Sequence, residues 1–514
     1  GILFAAVAIV FTACTRLAAH RAHVFTLDES FSWWFAQLPA RDILTAAAAE
    51  NHPPLFYLLL SVFAPFAKSP ETLRLVPVAA QIIATPVVCF FFRKAASDTH
   101  ARLGLLVFIF SAFSVFYAQE LRYPALSMLL FMCLCAVAAA DSLKNTVRVP
   151  ALGILASMLV LTFYMGALAL AGVTLWMLFR AFRNRESHGL FAQWCAGMTA
   201  GAALCLPWIP HMFAQTGRQL QFVGAANLMS HLATLPVRAP VKVIWEFCGI
   251  HFLPPEPALR YAVFAAWLLA AGAGILRLWK NPWFRMWLFS FLFTVFAAWA
   301  LMLTVQLYFF PKYFFMFAPG FYLCAAAGAY SLAQGRRAVT GAVLALLCLA
   351  PLLSYYATAD RRPDNRDIIG TLSRETRDGD VILLNPAYQA PLFAAFYSGA
   401  ARVIEVPESY DQSMPYVDMP RITCNDIREI DAHTARGANV YAFYGVGHPV
   451  TRLDQRGLLL EWLDGAYERQ DVTAFYITHD SERKQGRLFL FRKPDTSGPR
   501  SGVCEENRIG NSGG

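Results

Sequence analysis

Up to about Tyr356 the chain consists of long apolar runs broken by short basic clusters; from Asp360 onward charges recur every few residues and the long runs stop. A helix that crosses a bilayer needs about 20 predominantly apolar residues. On that measure the runs at 1–19, 73–92, 104–118, 123–140, 190–209, 261–277, 285–304, 314–333 and 338–357, with a hairpin inside 149–179 that turns near Gly166, predict about eleven crossings. The first run has no small-residue cleavage signal and reads as a membrane helix or an uncleaved anchor. Beyond 360 the pattern changes period. Strands are expected at 380–385, 402–406, 440–444, 472–477 and 487–492, with helices at 387–398 and 453–467 and a long polar loop over 405–426. Strands alternating with helices argue for a small α/β domain. The expected organisation is therefore a polytopic α-helical membrane domain over 1–358, a soluble α/β domain over 359–494, and a Gly/Ser/Asn-rich tail over 495–514 of disordered composition.

Charge turns this count into a topology. Five short loops are basic: Arg93, Lys94 and Arg102; Lys144 and Arg148; Arg180, Arg183 and Arg185; Arg277, Lys280 and Arg285; Arg336 and Arg337. Cytoplasmic loops collect Lys and Arg. Placing all five on that side requires an even number of crossings between neighbours, which the eleven runs satisfy, with the N-terminus inside and the soluble domain outside. The segment 54–66 is apolar but only about 13 residues long, and Pro65 interrupts it; such a segment is expected to be interfacial or re-entrant. Residues 20–72 then form one long external loop.

Composition agrees: 57% of the residues are hydrophobic and 15% charged, against about 25% charged in a soluble domain. The net charge of +9 sits in loops between apolar runs, so it sets topology and is not a nucleic-acid footprint. Of the 11 cysteines, most lie inside apolar runs and behave as small hydrophobes. No CxxC occurs, and Cys248, Cys424 and Cys504 are too scattered for a framework. No metal site of cysteines is expected.

The outer loops carry the unusual residues. The first holds Thr26-Leu27-Asp28-Glu29-Ser30 and then Glu50-Asn51-His52-Pro53-Pro54-Leu55-Phe56-Tyr57. The second has Tyr117-Ala118-Gln119-Glu120-Leu121-Arg122-Tyr123-Pro124. A later one, 210–260, includes Arg218, His231, Glu246 and His251, and the last reads Tyr308-Phe309-Phe310-Pro311-Lys312-Tyr313. Ionisable groups at helix ends on one membrane face are costly unless paired or functional. Each has a plain alternative: Asp28-Glu29 as a solvated helix start, His52 as turn chemistry before two prolines, Gln119, Glu120 and Arg122 as a snorkelling cluster, Lys312 as a headgroup anchor.

Together, in this order and on one side, these motifs resemble the GT-C glycosyltransferases, most closely bacterial relatives of the protein O-mannosyltransferases and the lipid A aminoarabinose transferases. The resemblance covers about residues 1–360. Leu121 stands where many relatives have a small residue, and Lys312 where Arg is common; a lysine meets phosphate as a point charge without the bidentate fork. The resemblance implies an inner-membrane enzyme that moves a sugar from a polyprenyl phosphate to an acceptor (a lipid A, another envelope glycan or a protein) at the outer, periplasmic surface, inverting the anomeric centre. It implies Asp28 as the general base, with Glu29 as the neighbour that substitutes for it or orients it. His52, Arg122 and Lys312 would bind the donor phosphate, and Gln119, Glu120, Tyr57, Tyr123 and Tyr313 would line the sugar or acceptor pocket. No DxD cluster occurs in residues 1–360 and no metal is required, although Asp28 with Glu120 could hold one. The soluble domain has no GxGxxG or P-loop; from its position it docks the acceptor, caps the cavity, or is a structural module. Two other classes compete. A transporter or flippase of lipid-linked glycans should show internal repeats and broken mid-membrane helices, and no repeat is visible. A sensor or assembly protein would need a recognisable site in the soluble domain.

Overall fold

The computed structural model describes residues 2–18, 20–21, 25–50, 52–223, 238–305, 310–359, 365–410, 420–435, 437–444, 458–479 and 482–494. The 495–514 tail, His231 and Tyr308 lie outside them. Eight helices are long and apolar enough to cross a membrane: Pro70–Ala95, Asn145–Thr162, Met165–Arg183, Arg185–Arg218, Pro257–Leu278, Pro282–Met302, Pro311–Leu332 and Arg337–Thr358. A ninth span forms if the bent pair Asp98–Phe110 and Ala112–Gln119 counts as one. The two remaining predicted runs are helices of 16 residues, Ile2–Leu17 and Pro124–Ala139, about 24 Å long at 1.5 Å per residue. Among the described residues the expected eleven spans thus become eight or nine of full length. The 54–66 segment is the helix Leu55–Phe63, ended by a 3-10 turn at Ala64–Phe66 that contains Pro65. At 9 residues it reaches about 14 Å, half the hydrocarbon thickness.

The chain divides into two compact units: Gly1–His23 with Pro39–Asp360, and Val24–Leu38 with Arg361–Gly514. The stretch 20–72, expected as one external loop, is shared between them. It carries three helices, Leu27–Gln37, Ala40–Ala49 and Leu55–Phe63.

In the membrane unit the tightest crossing joins Pro257–Leu278 to Ala318–Leu332 through small residues. A Cβ on Gly274 would lie 1.8 Å from the Cys324 carbonyl oxygen, and one on Gly328 would lie 1.7 Å from that of Ala270. Ala270 and Gly274, like Cys324 and Gly328, are one helical turn apart, the small-xxx-small pattern that lets backbones touch in lipid. Overpacking ordinarily costs about 1–3 kcal/mol, and here the obstacle is backbone. Gly328→Ala should therefore lower the melting temperature in detergent by several degrees. Gly272→Ala, with nothing within 4 Å of its Cβ position, should leave it unchanged.

The 53° bend between Asp98–Phe110 and Ala112–Gln119 frees the carbonyls of Phe108 and Ile109 from the helix ladder. Arg16 takes them up. Its fully buried guanidinium donates to Phe108 O at 2.9 Å and to Ile109 O. It also donates to Gln81 Oε1 at 3.1 Å and Ser114 Oγ at 3.2 Å. A cation at a helix C-terminus is also favoured by the helix dipole, so Arg16 caps the break in a place where water cannot.

The second unit contains a five-stranded sheet in the order β2-β1-β3-β5-β4, with β1 at Val381–Asn385, β2 at Arg402–Glu405, β3 at Asn439–Tyr444, β4 at Glu468–His479 and β5 at Glu482–Arg492. β1 runs parallel to β2 and β3; β5 is antiparallel to β3 and β4. All five expected strands are present. β1 is buried at every position, as a strand covered on both faces should be. One face packs Val381 and Leu383 against Ile427, Leu459 and Trp462; the other packs Ile382 and Leu384 against Phe25, Ile369 and Phe393. The helices Asn365–Glu375 and Cys424–His433 were not read from sequence, the second beginning inside the expected polar loop. Cys424 is disulfide-bonded, although its spacing from the other cysteines suggests no framework.

Candidate functional site

The motif Gln119–Tyr123 forms the turn between the helices Ala112–Gln119 and Pro124–Ala139. Pro124 opens the second helix at its first position, where a missing N–H costs nothing. Gln119, Glu120, Arg122 and Tyr123 are all buried. The Gln119 amide is held by protein: Nε2 donates to Arg16 O at 2.9 Å and Ala18 O at 2.6 Å, and Oε1 accepts from the Tyr355 hydroxyl at 2.5 Å. It ties the end of Ile2–Leu17 and the helix Arg337–Ala359 to this turn.

Arg122 reaches across 70 residues of sequence to His52, its Nη2 lying 3.0 Å from Nε2. A guanidinium only donates, so Nε2 must be the acceptor and the ring proton sits on Nδ1: His52 is neutral in this arrangement. His52 is followed by two buried prolines. They lead into the Leu55–Phe63 helix, on which Tyr57 is buried. The Tyr123 ring lies 5.7 Å from His52 and 5.5 Å from the Arg122 guanidinium carbon. It stacks at 4.3 Å on Phe163, which lies 5.2 Å from Tyr313. Lys312, 5% exposed, is on the 3-10 segment Pro311–Phe317 with its Nζ 5.6 Å from the Phe310 ring. The membrane unit thus brings His52, Arg122, Tyr123 and Tyr313 into one aromatic-walled cluster, with Glu120 on the same turn and Lys312 next to Tyr313. Phe163, which links its two halves, carries no sequence signal of its role.

Asp28 and Glu29 belong to the other unit. Glu29 closes a capping box: its Oε2 accepts from Thr26 N at 3.0 Å, and its own N–H donates to Thr26 Oγ1 at 3.3 Å. The T-x-x-E spacing in Thr26–Glu29 is the sequence signal for this role. Asp28 lies beside Glu29 in the first turn of Leu27–Gln37 and is half-buried. The helix is anchored by Phe25, 4.9 Å from Phe396, and Phe31, 6.5 Å from Tyr388. Burial first, and then the Asp28 charge, push the Tyr388 phenol above its ordinary pKa, so Asp28 faces the loop that follows β1. Among the described residues no group of three or more His, Cys, Asp or Glu could hold a metal ion.

No family model matches this chain, and no curated protein matches it. Solved structures do. ArnT from Cupriavidus metallidurans bound to undecaprenyl phosphate is 11% identical, with 95% of this chain and 97% of that one covered and a TM-score of 0.52. Its apo state is 12% identical over 97% and 98%, with a TM-score of 0.51. The archaeal oligosaccharyltransferase AglB from Archaeoglobus fulgidus, in complex with an inhibitory peptide and a dolichol-phosphate, is 10% identical over 99% and 77%, at 0.50. The chain is a multi-pass membrane protein with the GT-C fold.

Proposed function

We propose that this chain transfers a sugar from a polyprenyl phosphate to an acceptor at the outer membrane surface. The observation that carries the reading is the part-buried Arg122–His52 hydrogen bond in a fold shared with structures that hold undecaprenyl phosphate and dolichol-phosphate. A lipid phosphate leaving the sugar C1 gains charge that fixed donors must meet. Arg122, oriented by neutral His52, and Lys312 supply them. Glu120 orients these cations or contacts the sugar, and Tyr57, Tyr123 and Tyr313 wall the pocket. Gln119, whose amide is already occupied, positions the turn. Asp28 accepts the proton of the acceptor hydroxyl as it attacks C1, which inverts the anomeric centre. The Cys424 disulfide supports an oxidising, non-cytoplasmic side for the second unit.

Reconstitution in liposomes with a sugar-loaded undecaprenyl phosphate and an envelope extract tests this. Acceptor-dependent release of undecaprenyl phosphate, with a glycosylated product detected by mass spectrometry, is expected. Movement of the lipid-linked sugar between leaflets without its consumption would favour a flippase.

A further inference from the structure

A second polar cluster lies on the membrane unit, where the helices Met165–Arg183 and Pro282–Val305 cross. Arg180 is in the last turn of the first and Arg285 near the start of the second. Their charges act on each other, yet among the described residues neither makes an ion pair. The Arg180 guanidinium carbon lies 5.6 Å from the Trp283 ring and that of Arg285 lies 5.4 Å from the Trp176 ring. The indoles engage both cations but offer no acceptor for their N–H groups. Three N–H donors are buried without a hydrogen-bond partner: Arg180 Nη1, Arg285 Nε and Trp176 Nε1. Trp176 is 8% exposed, one helical turn from Arg180.

About two turns before Arg180 the two helices are in close contact. A Cβ on Gly172 would lie 2.8 Å from Ser290 Cα, and Ser290 Oγ donates to Ala169 O at 2.8 Å. A buried donor without a partner is unfavourable, and the two neighbouring like charges add to it. An anion held between the two arginines would give these donors an acceptor and offset the like charges.

We propose that Arg180, Arg285 and Trp176 form a binding site for a phosphate group. Arginine suits it, because its fork matches phosphate oxygens. The site is on the side that Arg183, Arg277 and Lys280 mark as cytoplasmic by the charge rule, where membranes present anionic headgroups. It is separate from the Arg122 cluster and does not depend on the proposed transfer reaction. The phosphate comes from an anionic lipid headgroup or from free phosphate.

Native mass spectrometry of the full chain in detergent distinguishes these. Wild-type protein should retain phosphatidylglycerol about tenfold better than phosphatidylcholine. Arg180→Gln with Arg285→Gln should abolish that preference. Trp176→Phe, which removes one N–H and keeps the ring, should weaken it about threefold. Phosphatidylglycerol unaffected by millimolar inorganic phosphate assigns the site to lipid; displacement by it assigns the site to free phosphate. Equal retention of the two lipids by wild type, with no effect of inorganic phosphate, overturns the proposal. So does a wild-type preference in the double variant. If the double variant does not elute as one species, Trp176→Phe decides the matter: an unchanged preference overturns the site.

Discussion

Asp28→Asn should reduce sugar transfer by about 10³-fold while leaving donor-lipid affinity and melting temperature within error of wild type. The magnitude separates the two roles open to this residue. As a member of a helix first turn, Asp28 gains about 0.3–1 kcal/mol from the helix dipole, and losing that cannot silence an enzyme. As a general base it contributes about 10²–10⁴ in rate. Its neighbour supplies the control. Glu29→Gln keeps the capping box, because Gln serves at that position, and activity should stay near wild type; Glu29→Ala should cost about 1 kcal/mol of stability with the remaining folded protein active. The measurements are single-turnover transfer from a labelled polyprenyl-phosphate sugar and a thermal melt on the same samples. Turnover retained in Asp28→Asn would remove it as the base, and an equal loss in Glu29→Gln would mean the pair acts together.

The second large effect is expected at Arg122. Arg122→Gln should lower kcat/KM by about 10²–10³-fold, the usual loss when one preorganised donor to a developing anion is removed. It should also weaken binding of undecaprenyl phosphate. His52 is predicted to act through Arg122, and the choice of substitution reveals this. His52→Gln retains an acceptor for the guanidinium and should keep activity within about tenfold of wild type. His52→Lys has no acceptor and sets a second cation against Arg122, so it should approach the Arg122→Gln loss. If His52→Lys were as active as His52→Gln, the histidine would be a direct phosphate contact. Unchanged lipid affinity in Arg122→Gln would take Arg122 out of the donor site.

Much of this architecture is legible in the sequence, for a local reason. Whether a segment enters a membrane depends on the transfer free energy of its own side chains, so apolar runs such as 73–92 and 338–357 correspond to helices of spanning length, Pro70–Ala95 and Arg337–Thr358. The strands of the soluble unit are readable likewise: buried runs such as 381–384, bounded by the Asp378-Gly379 turn and Pro386, have few alternatives. Length is less secure. The 104–118 run is bent at Ser111, and no proline marks the break; it persists because Arg16 caps it from another helix. The helix Cys424–His433 was hidden because its polar face and modest apolar stripe resemble a surface loop.

For the candidate site, the sequence named His52, Arg122, Lys312 and the tyrosines by type and order, and the resemblance implied Asp28 as base with Glu29 as its substitute or orienting neighbour. The tertiary structure decided their relations. It joined His52 to Arg122, turned Glu29 inward as a cap, occupied Gln119 with backbone carbonyls, and grouped 24–38 with the second unit. Hydropathy and spacing report what each segment prefers against water or lipid, which is a sum over its own residues. Which donor meets which acceptor across 70 positions depends on the packing of all the helices at once, and no single stretch of the chain encodes that.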